Sequence, residues 1–188
     1  MELNHMTEKT PPKTIAETGR LLLRELTADD FPALCRALQD EDVTRVYGRT
    51  FTDREIRFWL EGQFRSYREE GFGTWAVVLK ESGEMIGHAG IFISQHGDEE
   101  IHEIGYLFEK ACWGKGYATE AAVACRKVAF DVLGLEKVYS IIRTDNMASR
   151  AVARKNSMRI TETVYRLTMG KAIPHYVYCV VNPERKAE

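Results

Sequence analysis

Two glycines, Gly114 and Gly116, stand between a strand pattern and a helix pattern, an order of elements that can bind an anion. In the preceding segment Ile104, Tyr106 and Phe108 alternate with other residues, which predicts a β-strand. Small and apolar residues recur at helical spacing after the loop. The free N–H groups and dipole of a helix N-terminus favour negative charge, and glycines let the backbone approach a phosphate closely. The segment therefore predicts a phosphate-binding loop.

The spacing of this loop does not fit two common phosphate-binding motifs. A dinucleotide-binding loop needs the pattern G-x-G-x-x-G, and Thr119 stands where the third glycine is required. A P-loop needs a longer spacing, whereas only Lys115 separates Gly114 from Gly116. The sequence therefore disfavours a nucleotide-dependent oxidoreductase and a P-loop enzyme.

The loop resembles motif A of the GNAT acetyltransferases, in which backbone amides hold the pyrophosphate of acetyl-CoA. Gly116 and Ala118 match that motif, and Trp113 occupies the position where the family has Gln or Arg. The longer string around the loop is similar to the RimJ/RimL branch, the ribosomal-protein N-terminal acetyltransferases. The opening strand at Arg20 and the helix start at Thr27 also resemble this branch. The resemblance covers about residues 20–182.

A second motif lies downstream, where a strand pattern turns into a helix pattern. Asn146 and Ser149 match the N-x-x-S signature of GNAT motif B. The family pattern K-x-G-F then closes the helix, but here Ser157 stands at the glycine position and Met158 at the phenylalanine position. We expect Asn156 to adopt the left-handed conformation that ends the helix.

The resemblance implies an α/β GNAT fold, with a mixed, mostly antiparallel central sheet that is splayed at the cofactor site and flanked by helices. Strand patterns at 74–80 and 85–93 precede the strand before the loop, so the three predict an antiparallel meander. Residues 1–18 are polar and contain paired prolines, which predicts a flexible N-terminal tail. Residues 19–183 are then the acetyltransferase domain.

The cofactor implied by the resemblance is acetyl-CoA, with its pantetheine arm between two parting strands. Lys115 either pairs with a phosphate or is a solvated surface lysine, and Arg150 could meet the nucleotide end. The residues expected to contact the cofactor lie at the strand end, in the glycine loop and in the second motif: Leu107, Phe108, Trp113, Gly114, Lys115, Gly116, Tyr117, Ala118, Thr119, Asn146 and Ser149.

Acetyl transfer from a thioester to an amine requires a deprotonated amine, a polarised carbonyl and a protonated leaving thiolate. The resemblance implies that Glu103 is the general base and that a backbone N–H near Leu107 polarises the carbonyl. Gly105, on the same strand face, is expected to leave space beside the carboxylate. Alternatively, Glu103 is an exposed strand carboxylate, and Glu162 or solvent takes the proton. Ser149 either donates to the thiolate or only caps its helix.

The acceptor pocket of the family lies near two helices in the first half of the chain. Arg45, Tyr47, Trp59 and Phe64 can line that pocket, although the aromatic residues fit the core better.

Composition narrows the class of protein. The length of 188 residues predicts one domain, and a net charge of −2 provides no basic field for nucleic acid. The four cysteines form no C-x-x-C pair and the five histidines no ligand pattern, which indicates free thiols and no metal. No apolar run has membrane-spanning length, and no secretion signal is evident. We expect a cytoplasmic protein.

The sequence predicts an acetyl-CoA-dependent N-acetyltransferase that acts on a primary amine, either a protein N-terminus or a small molecule. A homodimer is compatible with this prediction. The alternative is a non-catalytic acyl-CoA-binding module that serves as a sensor or a scaffold.

Overall fold

Eight strands form one sheet in the computed structural model, which describes residues 11–168 and 170–184. In chain order they are Thr14–Glu17 (β1), Leu21–Arg24 (β2), Thr74–Leu79 (β3), Met85–His96 (β4), Glu99–Phe108 (β5), Lys137–Arg143 (β6), Arg159–Thr168 (β7) and Lys171–Val181 (β8). The spatial order is β1-β2-β3-β4-β5-β6-β8-β7. Only β5 and β6 pair in parallel among these neighbours, so the expected mixed, mostly antiparallel sheet is confirmed.

Helices cover both faces of the sheet. They are Phe31–Leu38 (α1), Glu41–Thr44 (α2), Asp53–Glu69 (α3), Tyr117–Lys127 (α4), which continues as a π-helical turn to Val132, and Met147–Lys155 (α5). Apolar side chains of α4 and α5 pack on one face, and those of α1 and α3 pack on the other. Each large apolar side chain that is fully buried contributes about 1.5–3 kcal/mol. Within the described part of the chain, no helix has the length and apolar character to cross a membrane.

Strand β1 lies inside the segment that was predicted to be a flexible tail. It pairs antiparallel with β2, and Ile15 packs against the larger apolar core. The domain therefore begins at or before Thr14, and the predicted boundary after residue 18 is too late. The sequence did not reveal this strand because its four residues gain their stability from pairing with β2 rather than from a local pattern. Residues 1–10 of the predicted tail lie outside the described residues.

The sheet opens between β5 and β6. The ladder between β4 and β5 is continuous from Gly87 and Phe108 to His96 and Glu99, whereas β5 and β6 share the single register pair Glu103 and Tyr139. The expected splay is therefore confirmed. The register of β5 is unbroken, so its side chains alternate between the two faces of the sheet as predicted. Ile104, Tyr106 and Phe108 face the core cluster beneath α4 and α5, and Leu107 faces the cluster beneath α1 and α3.

The end of α5 differs from the expectation in one residue. Asn156 has a φ of −85°, and Ser157 is the residue in the left-handed region, with a φ of 63°. Asn156 is instead buried, and its Nδ2 donates a hydrogen bond to the backbone oxygen of Ala122 (3.2 Å). Ser157 thus keeps the backbone conformation of the glycine that it replaces in the family pattern, and the Asn156 side chain joins α5 to α4.

Replacing Ser157 by glycine should stabilise the protein. The left-handed conformation is disfavoured for a residue with a Cβ, so we expect a gain of about 0.5–1 kcal/mol in the free energy of unfolding. The melting temperature should rise by about 1–4 °C for a domain of this size. Ser157→Ala is the control, because alanine keeps the Cβ and gains nothing. Equal melting temperatures for the glycine and alanine variants would contradict the prediction.

Candidate active site

The glycine loop forms an open N-terminus at α4. Gly114 and Gly116 have φ values of 73° and 85°, and both are exposed. The first helical hydrogen bond runs from the amide of Glu120 to the oxygen of Gly116 (3.1 Å), so the amides of residues 117–119 precede the helical ladder. Several donors therefore stand at the positive end of a helix, as a pyrophosphate requires. Trp113 is fixed beside them because its Nε1 donates to the oxygen of Phe108 (3.0 Å).

Arg20, the residue before β2, supports this loop, a role that the sequence did not indicate. Its Nη1 donates to the backbone oxygen of Lys115 (2.9 Å), and its guanidinium lies 4.6 Å from the ring centre of Tyr117. The same guanidinium forms an ion pair with Glu120 in the first turn of α4 (2.6 Å). These partners are separated by about 100 residues of chain, so no local pattern could have indicated them.

The start of α5 lies across the sheet opening from β5. The hydroxyl of Tyr106 on β5 donates to the backbone oxygen of Ser149 (3.0 Å). The side chain of Asn146 accepts a hydrogen bond from the Ser149 amide (3.1 Å) and so caps the helix. Both motifs that the sequence indicated therefore flank the same opening. An exposed glycine loop, amides ahead of a helix and a gap between parallel strands together fit the phosphates and the extended arm of acetyl-CoA.

Glu103 is buried where β5 and β6 begin to part. It is only 4% exposed, so the alternative of an exposed strand carboxylate is wrong. Its Oε2 accepts a hydrogen bond from the amide of Ile141 (3.0 Å), and its Oε1 accepts from the hydroxyl of Ser94 and from Nη2 of Arg166 (3.3 Å). The Arg166 side chain is 40% exposed and approaches Glu103 from β7. The sequence did not indicate Ser94 or Arg166, because they lie on other strands.

The space beside Glu103 is occupied rather than open. A Cβ built on Gly105 would lie 2.7 Å from the ring of Phe92, so the glycine accommodates this ring. The expectation that Gly105 leaves room next to the carboxylate is therefore wrong. Phe92 is 37% exposed and lies opposite Glu103 in the β4–β5 ladder, which gives the carboxylate one apolar neighbour at the surface.

Ser149 does not supply the cap of its helix, because the Asn146 side chain does. Ser149 is half-buried, and its hydroxyl makes no hydrogen bond within the described residues. Arg150 next to it donates to the oxygen of Thr144 (2.7 Å) and lies over the ring of Tyr176. These contacts give Arg150 a structural role at the helix start.

Of the four candidate acceptor residues, two belong to the apolar cluster beneath α1 and α3, whereas Arg45 is exposed and Tyr47 is 45% exposed, so the core interpretation is wrong for Tyr47. Trp59 and Phe64 pack against that cluster, as the core interpretation predicted. Trp59 also contacts His88, with 5.0 Å between ring centres and a tilt of 43° between the rings. Burial lowers the pKa of His88 to about 4, so its ring is neutral at neutral pH. His88 was not indicated by the sequence, and it lies opposite Leu107 at the buried end of the β4–β5 ladder.

Comparison with known proteins agrees with this geometry. A family described as acetyltransferase (GNAT) domain matches residues 20–159. An uncharacterised protein of Bacillus subtilis, YkkB, is 34% identical over 81% of this chain and 89% of its own length. An uncharacterised N-acetyltransferase of the same organism, YoaA, is 30% identical over 90% of this chain and 97% of its own length. A structure of RimL, a ribosomal L7/L12 alpha-N-protein acetyltransferase in complex with coenzyme A, superimposes with a TM-score of 0.72 at 19% identity, covering 90% of this chain and 98% of RimL.

The chain therefore belongs to the GNAT acetyltransferases. It is an acyltransferase, and its cofactor is acetyl-CoA. The RimL likeness shows the fold alone, because the sequence identity is low.

Proposed function

We propose that this protein transfers acetyl from acetyl-CoA to a primary amine by direct attack, with Glu103 as the general base and Ser149 as the donor to the leaving thiolate. The observation that carries the proposal is the buried carboxylate of Glu103 at the point where β5 and β6 part. The start of α5, joined to β5 by the Tyr106 hydroxyl, borders the same opening. The acceptor would be a protein N-terminus, as in the RimJ/RimL branch, or a small-molecule amine.

The environment of Glu103 suits a base that must keep one orientation. The Ile141 amide holds Oε2, which leaves Oε1 as the oxygen that can take a proton from an incoming amine. Ser94 and Arg166 both contact Oε1, and the Arg166 side chain is 40% exposed to solvent. An acceptor amine would replace Arg166 at Oε1, since the 3.3 Å contact is long for a charge-assisted hydrogen bond.

Bound acetyl-CoA supplies an activated acetyl group as a thioester. The acceptor nitrogen forms the new N–C bond, the C–S bond breaks, and Glu103 holds the proton released by the amine. The Ser149 hydroxyl donates a hydrogen bond toward the departing sulfur and so stabilises its negative charge. The positive end of α5 lies at the same place and favours that charge as well.

A screen of acceptors tests this proposal. The protein is incubated with acetyl-CoA and a panel of peptides with free N-termini, amino acids and polyamines, and released CoA is trapped through its thiol. We expect acceptor-dependent release for at least one amine class, with an acetylated amine identified by mass spectrometry. If acetyl-CoA binds but no amine in the panel raises CoA release above the rate with Glu103→Gln, the non-catalytic sensor or scaffold is favoured instead.

Replacing Ser149 by alanine should lower turnover by about 10²-fold, the lower end for a group that assists proton transfer. The melting temperature should change little, because Asn146 caps the helix. A thioester with a better leaving group should restore part of the rate. Asn146→Ala is the matched control, and it should cost about 0.5–2 kcal/mol of stability through loss of the cap. If Ser149→Ala turns over at the wild-type rate with acetyl-CoA, Ser149 is not the donor.

A further inference from the structure

The glycine loop, residues 113–116, is anchored at Trp113, and the two glycines that follow give the rest of it little stiffness. Gly114 and Gly116 both adopt left-handed conformations, and the loop residues 113–116 are exposed. Two glycines in a short loop give the backbone wide conformational freedom. A loop that must present several amides to one pyrophosphate therefore gains affinity if another part of the chain fixes it beforehand.

Arg20 provides such a support. Its Nη1 bonds the Lys115 oxygen in the middle of the loop, and its guanidinium stacks on the Tyr117 ring at the first position of α4. A Cβ built on Gly116 would lie 3.4 Å from Nη2 of Arg20, so the guanidinium lies beside the last residue of the loop. Arg20 itself is fixed by Glu120, which accepts from its Nε (2.7 Å) and its backbone amide (2.9 Å).

The ion pair between Arg20 and Glu120 affects phosphate binding, because Glu120 places a negative charge near the loop. Glu120 lies in the first turn of α4, where a carboxylate competes with a bound phosphate for the positive end of the helix. Burial raises the pKa of the Glu120 carboxyl, but hydrogen bonds from Thr18 and Arg20 outweigh this effect and hold the pKa below its usual range. The carboxylate is therefore ionised, and Arg20 is the cation that neutralises it.

We propose that Arg20 is a positioning residue for acetyl-CoA, which holds the Trp113–Gly116 loop in its binding conformation and cancels the negative charge of Glu120 beside the phosphate site. This inference rests on the cofactor and not on the proposed acceptor or base. Its test therefore uses binding of acetyl-CoA, measured by calorimetry, and needs no turnover.

Arg20→Gln should weaken acetyl-CoA binding on the order of tenfold, through a less ordered loop and an uncompensated carboxylate. The loss should shrink at high ionic strength, because salt screens the charge of Glu120. The double variant Arg20→Gln with Glu120→Gln should recover part of the affinity, since it removes the repulsive charge as well. If Arg20 only stabilised the fold, the second substitution would not restore binding.

Lys80→Gln is the matched control. Lys80 also ties the turn before β2, through Glu17 (2.9 Å) and the oxygen of Thr18 (2.8 Å), but these contacts do not involve the loop. It should bind acetyl-CoA like the wild type. If Arg20→Gln does not fold, Arg20→Lys replaces it, and its affinity should be intermediate because lysine keeps the charge without the fork that spans two partners. Wild-type affinity in the folded arginine variant, or an equal loss in Lys80→Gln, would overturn the proposal.

Discussion

Glu103→Gln is expected to lower acetyl-transfer turnover by about 10²- to 10⁴-fold, with acetyl-CoA affinity unchanged. Glutamine keeps the shape of the side chain and can still accept the hydrogen bond from the Ile141 amide, but it cannot take a proton. The site should therefore stay folded and bind the cofactor, but it lacks the group that takes the proton from the attacking amine. Turnover is measured by CoA release with the best acceptor from the screen, and affinity by calorimetry.

Glu162→Gln is the control for this experiment. Glu162 lies on β7, is half exposed and pairs with His96 (2.8 Å), which is not one of the three donors that hold Glu103. We expect its substitution to change turnover by less than about tenfold, because an exposed carboxylate pair contributes little. A large loss in Glu162→Gln together with a normal rate in Glu103→Gln would move the base to Glu162.

Gly116→Val is expected to abolish the rise in melting temperature that saturating acetyl-CoA gives the wild type. Binding to the native state alone stabilises a protein by about 2.7 kcal/mol at a hundredfold excess over the dissociation constant. Valine at a φ of 85° is strained, and its branched side chain would stand at the open end of α4 beside Arg20. NAD should give no shift with either protein, since the loop lacks the dinucleotide spacing.

Gly134→Val separates loss of binding from loss of stability. Gly134 also has a positive φ, 65°, with open space around it, but it lies beyond the far end of the helix that Gly116 precedes. This variant should melt lower in the absence of ligand and keep its full acetyl-CoA shift. If Gly116→Val folds and shows the wild-type shift, the glycine loop is not the phosphate site.

Features with a local signature were predictable from the sequence. The glycine loop before α4 and the burial pattern of β5 each follow from a few neighbouring residues, because backbone conformation and hydrogen bonding there are local. The start of α5 was located as well, but its cap is Asn146 and not Ser149, the residue considered for that role. The splay between β5 and β6 followed from the family resemblance carried by those motifs. The second core cluster around Trp59 and Phe64 followed from helical spacing.

Features made by distant parts of the chain were not predictable in this way. Arg20 meets Glu120 across 100 residues, and Arg166 meets Glu103 across 63, and in both pairs only the folded sheet brings the charges together. Strand β1 gains its order from pairing with β2. The left-handed residue at the end of α5 was predicted one position too early. Asn156 makes a buried hydrogen bond to Ala122, and Ser157 has the left-handed conformation instead.

Direct transfer at Glu103 is tested by a single-turnover experiment with the protein in excess over acetyl-CoA that carries a labelled acetyl group. The label and the released CoA are followed with and without the acceptor amine, in the wild type and in Glu103→Gln. The account predicts that CoA is released only when the amine is present, that the label moves to the amine, and that Glu103→Gln slows this step with acetyl-CoA still bound. Release of CoA without amine, with the label on the protein, would contradict direct transfer.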